Sequence, residues 1–241
     1  MGLTTTRALI LQTYRYSDTS KILRLLSVEH GPCSALARGA LRPKSRFGGM
    51  LEPFVEGDAT LYLKEGRDLH TLAGFELVRE RRDIGRSIPL FTVASTLCEL
   101  VMRLAPEHRD DDLYRTLIRG LDTLHARALD GREGGGLEHV WALVATLGFQ
   151  PQLDECVSCG RAIGREGARF EFEAGGLYCR DCAPGGPGLE PDELEALRRL
   201  AVGNPAGEGG GRQGRWLADF IRYHLAEGAT LRSLPFLREL A

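Results

Sequence analysis

The segment Cys156-Val157-Ser158-Cys159, followed after nineteen residues by Cys179-Arg180-Asp181-Cys182, decides the fold of the region around it. Two residues between cysteines let both sulfur atoms of one turn point at a single centre, and Gly160 permits the positive φ that such a turn needs. Four thiolates are the donor set of a closed tetrahedral zinc site. We therefore predict one structural Zn²⁺ held by Cys156, Cys159, Cys179 and Cys182, with no position left open for catalysis.

Three other interpretations of these cysteines remain open from the sequence. A Cys-x-x-Cys pair can be a thioredoxin-like redox pair, although no βαβ pattern surrounds either pair. An iron–sulfur cluster uses the same ligands, although the two-plus-two spacing is commoner for zinc. The thiols can also be unmetallated. Few large apolar residues lie between the pairs, so we expect folding here to depend on zinc, whose binding contributes on the order of 10–16 kcal/mol to such segments.

The chain before the cysteines falls into two parts with different hydrophobic periods. The first 80 residues contain five short runs of apolar or alternating residues with turn signals such as Gly31-Pro32 between them. These runs are Ala8–Leu11, Ile22–Val28, Cys33–Ala37, Phe54–Leu63 and Leu69–Val78. Five short strands in such a length favour a small closed barrel. After Arg86 the apolar residues recur every three or four positions, which predicts amphipathic helices.

These patterns predict a multidomain α+β protein. We place a barrel at residues 1–80, a helical domain at 81–150 plus 189–241, and the cysteine module, inserted between the two helical parts, at 151–188. The helical period returns after the module at Leu194, Leu197 and Leu200 and again from Trp216 to Leu225.

The composition is that of an ordinary globular protein. The chain has 241 residues, of which 43% are hydrophobic and 27% charged, with a net charge of −2. No basic N-terminal stretch with an apolar run and no bilayer-length apolar segment occurs, so we predict a cytoplasmic protein with no contact with a membrane. In that compartment paired cysteines favour metal over disulfide. Cys33 and Cys98 lie in apolar surroundings and are predicted to be buried, inert thiols.

A locally basic segment at residues 38–49 is the main candidate binding element. No acidic residue lies between Glu29 and Glu52, and within that gap the cations combine with glycines that let a backbone approach phosphate. The candidate DNA-phosphate contacts are Arg38, Arg42, Lys44 and Arg46, with Lys21 and Arg24 on a neighbouring strand as extensions. Phe47 either offers its ring to a base or packs inward. The competing interpretation is a solvated, disordered loop.

No paired carboxylates, catalytic triad or nucleotide-binding fingerprint occurs in the sequence, so we predict that the protein is not an enzyme. Two alternatives remain open. One is a zinc-stabilised protein-interaction subunit of another complex, whose barrel binds protein. The other is an enzyme, either a redox protein that uses a Cys-x-x-Cys pair or a nuclease.

The order of parts, together with several short motifs, resembles the RecO family, the bacterial recombination mediators of the RecF pathway. The resemblance runs over nearly the whole chain. It rests on Ala8-Leu9-Ile10-Leu11, on Gly31, on the stretch from Ala37 to Arg46, on Leu147 to Leu153 leading into Cys156, on Gly175-Gly176, and on Leu231 to Leu237.

The resemblance implies properties that composition and spacing do not. It implies an N-terminal OB-fold, a helical domain and a zinc-finger module. It also implies binding to single- and double-stranded DNA, annealing of complementary strands, and association with the nucleoid when the protein is bound to DNA. Partnership with RecR, and removal of single-strand-binding protein so that RecA can load, are implied as well.

Overall fold

The structure is a computed structural model that describes residues 2–63, 66–164, 168–183, 188–205, 212–225 and 231–240. The chain divides into two compact units, Met1–Arg132 and Glu133–Ala241, which are described separately. The first unit contains the strands of the first 80 residues together with two helices. The division at residues 80, 150 and 188 stays a prediction. Within the described ranges, no helix has both the length and the apolar character needed to span a bilayer.

Five strands of the first unit form a closed barrel. They are β1 (Gly2–Arg15), β2 (Lys21–Ser27), β3 (Gly31–Ala37), β4 (Glu56–Leu63) and β5 (Leu69–Arg79). Their order around the barrel is β1-β2-β3-β5-β4, with β3 and β5 parallel and the other pairs antiparallel. This is the five-stranded OB-fold arrangement, and it confirms the predicted fold class.

The barrel core follows from the alternation of side chains along each strand. On β2, Leu23 and Leu25 are fully buried, and on β3, Ala35 and Ala37 face the same interior. Three residues from outside the strands complete this core, since Phe47, Leu51 and Val55 are each at most 2% exposed and belong to the same cluster. Each fully buried side chain of this size contributes about 1.5–3 kcal/mol through the hydrophobic effect.

A short 3₁₀ helix (Arg82–Arg86) and two α-helices complete the first unit. They are α1 (Ile88–Leu104) and α2 (Asp111–Leu129). Ser87 and Asp110 are the N-caps, and their side chains accept hydrogen bonds from the backbone N–H of residues 90 and 113. Such caps satisfy N–H groups that have no partner inside the helix, which explains where each helix begins.

A buried arginine joins the end of the barrel to α2. The Arg81 side chain is fully buried and donates to the carbonyl of Phe54 at 3.0 Å, to Glu56 at 3.0 Å and to Asp122 at 2.7 Å. Glu56 also accepts a hydrogen bond from the Tyr114 hydroxyl at 3.0 Å. Every charge in this group therefore has a partner, which a buried ionic cluster requires.

The described residues of the second unit form four helices and a small sheet. Its elements are α3 (Leu137–Thr146), β6 (Gln152–Cys156), β7 (Ala168–Glu171), β8 (Gly176–Cys179), α4 (Pro191–Ala201), α5 (Gln213–Leu225) and α6 (Leu234–Glu239). The strand order is β6-β8-β7, with β6 and β8 parallel. The buried Trp141 of α3 packs on Phe220 of α5 with ring centroids 5.2 Å apart. The small sheet carries the cysteines.

Candidate functional site

The four predicted cysteine ligands converge on one point. Their sulfur atoms all lie within 4.8 Å of one another, and the Sγ atoms of Cys159 and Cys179 are 3.8 Å apart. Cys156 ends β6 and Cys179 ends β8, while Cys159 and Cys182 follow on the turns after these strands. Among the described residues this is the one group of three or more His, Cys, Asp or Glu side chains arranged to hold a metal ion.

Backbone hydrogen bonds shape the two turns that carry these ligands. The amide of Gly160 donates to the carbonyl of Cys156 at 2.9 Å, and the amide of Cys182 donates to the carbonyl of Cys179 at 3.1 Å. Gly160 has a φ of 70°, the left-handed region that the spacing predicted for this position. The amide of Val157 donates to the carbonyl of Leu177 at 2.9 Å, which ties the first turn to β8.

Hydrogen bonds within the cluster shift the pKa values of two of its thiols in opposite directions. Desolvation raises the pKa of the Cys156 thiol, but backbone hydrogen bonds from Cys179, Cys159 and Ser158 outweigh it and lower the pKa to about 6. Hydrogen bonds to Cys159 and Cys179 raise the pKa of the Cys182 thiol to about 12. The cluster therefore retains protons that a bound metal ion would displace, because a thiolate and not a thiol is the ligand.

The cysteine module is attached to helices of its own unit. Arg198 of α4 donates to the carbonyls of Leu153 at 3.0 Å and Ile163 at 2.6 Å. The Phe170 ring of β7 stacks on Trp216 of α5, with ring centroids 6.4 Å apart. The module thus has contacts with two helices in addition to its cysteines.

The two remaining cysteines lie elsewhere. Cys98 is buried in α1, and burial raises the pKa of its thiol to about 12. Cys33 is only partly buried, unlike the prediction, but desolvation still raises the pKa of its thiol to about 11. Thiols with such pKa values stay protonated and unreactive near neutral pH. All six cysteines are free, so none forms a disulfide.

The basic loop, defined here as residues 38–49, is an ordered series of turns. Its amides donate to carbonyls three residues earlier, Arg42 to Gly39 at 3.2 Å and Ser45 to Arg42 at 3.0 Å. Phe47 packs inward into the barrel core, which decides between the two orientations that the sequence left open. The loop is thereby fixed to the barrel at its C-terminal end.

The cations of the basic loop point into solvent. The side chains of Arg38, Arg42, Lys44 and Arg46 are exposed, and no ion pair joins any of them to another residue in the described parts of the chain. The Arg46 guanidinium lies 4.9 Å from the centre of the Phe47 ring, a cation–π contact that orients it. Four cations thus lie on one short loop without an acidic residue to neutralise them.

The two proposed extensions of this loop have partners. Lys21 is 16% exposed and binds the Glu52 carboxylate at 2.8 Å and the carbonyl of Leu51 at 3.0 Å. Arg24 donates to the Ser34 hydroxyl at 2.9 Å, and within the described ranges it forms no ion pair with a carboxylate. The sequence could not show the Lys21 pair, because its partner lies 31 residues away. The DNA-contact role of both residues stays a prediction.

Arg24 also lines a cleft of about 910 Å³ beside the barrel. Arg67 and Arg103 are the other cations of this cleft, and Asp68 and Glu107 add opposite charge. The cleft is therefore mixed in charge, whereas the basic loop carries one sign only.

Family models match almost the whole chain. The family model described as "Recombination protein O N terminal" matches residues 1–81, and the one described as "Recombination protein O C terminal" matches residues 86–234. Relatives with similar sequences in several bacteria carry the name "DNA repair protein RecO". The one from Anaeromyxobacter sp. (strain K) is 34% identical over 96% of this chain and 94% of its own length. The relative from Rubrobacter xylanophilus is 33% identical over 84% of this chain and 82% of its own length. The relative from Cutibacterium acnes is 31% identical over 96% of this chain and 97% of its own length.

Proposed function

We propose that this chain, which belongs to the RecO family of DNA repair proteins, is a non-enzymatic mediator that binds DNA through its basic loop. The proposal rests on four cations of an ordered loop of the OB-fold barrel: Arg38, Arg42, Lys44 and Arg46. Their side chains are exposed and form no ion pairs within the described residues. OB-folds are common binding scaffolds for oligonucleotides. In this proposal the loop grips sugar-phosphate backbones of single- and double-stranded DNA.

Charge neutralisation explains how such a loop promotes annealing. Each phosphate contact releases condensed counterions, and opposing strands repel each other less once their phosphates are neutralised. Base pairing then selects the product, so the protein needs no base-specific contact. No bond is made or broken and no nucleotide is hydrolysed. With RecR as partner, the same activity would help to load RecA on DNA coated by single-strand-binding protein, which supplies the recombination role of the family.

We further propose that the cysteine cluster holds one structural Zn²⁺. A Zn–S distance of about 2.3 Å in a tetrahedron places sulfur atoms about 3.8 Å apart. The Cys159 and Cys179 sulfur atoms are 3.8 Å apart, and all four sulfur atoms lie within 4.8 Å of one another. Cys156, Cys159, Cys179 and Cys182 would fill all four positions. A zinc ion so enclosed would cross-link β6 and β8 and would leave no coordination site for water or substrate.

The salt dependence of DNA binding tests the role of the loop. Four phosphate contacts predict a slope of log affinity against log salt near −2.8 for single-stranded DNA, or about a 50-fold loss between 50 and 200 mM salt. Fluorescence anisotropy with a labelled oligonucleotide measures both quantities. In the loop variant, all four cations are replaced: Arg38→Gln, Arg42→Gln, Lys44→Gln and Arg46→Gln. We expect weak binding and a nearly flat slope.

A matched control separates loop contacts from net charge. Four exposed arginines elsewhere in the first unit give the same change of charge: Arg82→Gln, Arg86→Gln, Arg115→Gln and Arg119→Gln. This variant should bind DNA with nearly the wild-type slope. Equal losses in the two variants, or a loop variant that anneals complementary strands as well as the wild type, would show that the loop is not the DNA clamp.

A further inference from the structure

A row of apolar side chains crosses the outer face of the barrel next to the basic loop. The strand register places Tyr14 of β1 opposite Ile22 of β2, and Ile22 opposite Leu36 of β3. Leu23 and Ala35, which adjoin these residues in sequence, are fully buried in the barrel. Because successive side chains alternate between faces, the row of Tyr14, Ile22 and Leu36 faces outward. Opposite side chains in such a row lie about 5 Å apart and form a continuous surface.

The aromatic end of this row is open to solvent. Tyr14 is 44% exposed, and Tyr16, in the turn that follows β1, is 61% exposed. The Tyr14 hydroxyl donates to the side-chain oxygen of Gln12, two residues earlier on the same face, which holds the ring over the strand. The turn is closed by a hydrogen bond from the Tyr16 amide to the Ser20 carbonyl at 3.0 Å. The rings are therefore presented by ordered backbone.

Cations lie on both sides of this row. On one side β3 continues directly into Arg38, and the Leu41 amide of the basic loop donates to the carbonyl of Thr19 at 2.9 Å, which joins the loop to the β1–β2 turn. On the other side Arg24 lies two residues from Ile22, about 7 Å further along the same outward face. A single strand of DNA that crosses the row would have cations within reach of its phosphates on both sides of the row.

We propose that the row of Tyr14, Ile22 and Leu36, extended by Tyr16, is a stacking platform for the unpaired bases of single-stranded DNA. This inference rests on the proposed function, and it adds a preference for one form of DNA. Phosphates are accessible in single strands and in duplexes, so phosphate contacts of the basic loop alone do not select single strands. Base faces are free only in single strands, because a duplex stacks them on each other. The platform therefore favours single-stranded DNA at any base sequence.

Binding of a single-stranded oligonucleotide of about 16 nucleotides, compared with its duplex, tests the platform. Tyr14→Leu retains an apolar side chain and removes the ring. It should weaken single-strand binding by about 5- to 150-fold, the effect of losing one stacked base, and leave duplex binding within about 2-fold. Tyr14→Phe retains the ring and should bind as the wild type does. Tyr62 of β4, which is 45% exposed and pairs with Leu3, supplies the control Tyr62→Leu.

A second variant reports stacking without depending on lost affinity. Tyr14→Trp should bind single strands at least as tightly as the wild type, and single strands but not duplexes should quench its added fluorescence. Unchanged single-strand affinity in Tyr14→Leu, or equal losses for single strands and duplexes, would overturn the platform. If the loop variant loses binding while Tyr14→Leu does not, the platform is wrong and the proposed function stands. A wild-type protein that binds neither form of DNA overturns both.

Discussion

Replacement of the buried Arg81 by methionine tests how the barrel is held to its helices. The substitution removes the hydrogen bonds to Phe54, Glu56 and Asp122 and leaves the Glu56 carboxylate, 10% exposed, without a cation. Removing one partner of a buried ion pair costs about 3–5 kcal/mol, because the other charge is left in a poorly solvated place. We expect a loss of that size in the stability of the first unit.

The Asp122 carboxylate, which both arginines bind, provides the control. Arg79 also binds Asp122, but its side chain is 53% exposed. Exposed pairs contribute about 0–1 kcal/mol, so Arg79→Met should have little effect. Backbone geometry adds to the difference, since Arg81 also bonds to the carbonyl of Phe54, a non-glycine residue with a φ of 69°.

Hydrogen exchange followed by mass spectrometry measures this loss locally, in peptides from β4 and from α2. Exchange in these peptides should accelerate strongly in Arg81→Met and little in Arg79→Met. Adding Glu56→Gln to Arg81→Met removes the unpaired negative charge and keeps a hydrogen-bond acceptor for Tyr114. The double variant should therefore be more stable than Arg81→Met alone. Equal effects of the two arginine substitutions, or a double variant less stable than Arg81→Met alone, would refute the reasoning.

Two further predictions concern the cysteine module. Purified protein should contain about one zinc ion per chain. Cys156→Ser should lose the zinc ion, and residues 151–188 should become sensitive to proteolysis while the barrel stays folded. Continued protection of residues 151–188 in this variant would contradict a structural metal. Gly176→Ala should also destabilise the module, because an added Cβ would lie 2.6 Å from the carbonyl oxygen of Gln152, whereas Gly164 has open space at that position. Gly164→Ala is the control, and both variants are compared by their resistance to proteolysis. Equal resistance would show that β6 and β8 can move apart to accept the added Cβ without loss of stability.

Features set by neighbouring residues were predictable from the sequence. The spacing of Cys156 and Cys159 placed two thiols on one turn, and the alternation along residues 54–63 indicated a strand of the barrel. The clustering of Arg42, Lys44 and Arg46 on one loop followed in the same way. Each depends on the geometry of a few consecutive residues, which the backbone imposes wherever the segment lies. The barrel closure and the convergence of the cysteines, inferred from these local signals, were confirmed.

Features that depend on distant residues were decided by the tertiary structure. Lys21 looked like a free cation, but folding places Glu52 beside it, and Phe47 turned inward because the barrel had space for its ring. Arg81 carried no sequence signal, although its buried side chain donates hydrogen bonds to three residues at the end of the barrel. The outward row of Tyr14, Ile22 and Leu36 exists only in the observed register of three strands. Burial and pairing depend on which segments meet, and chain order alone does not specify those contacts.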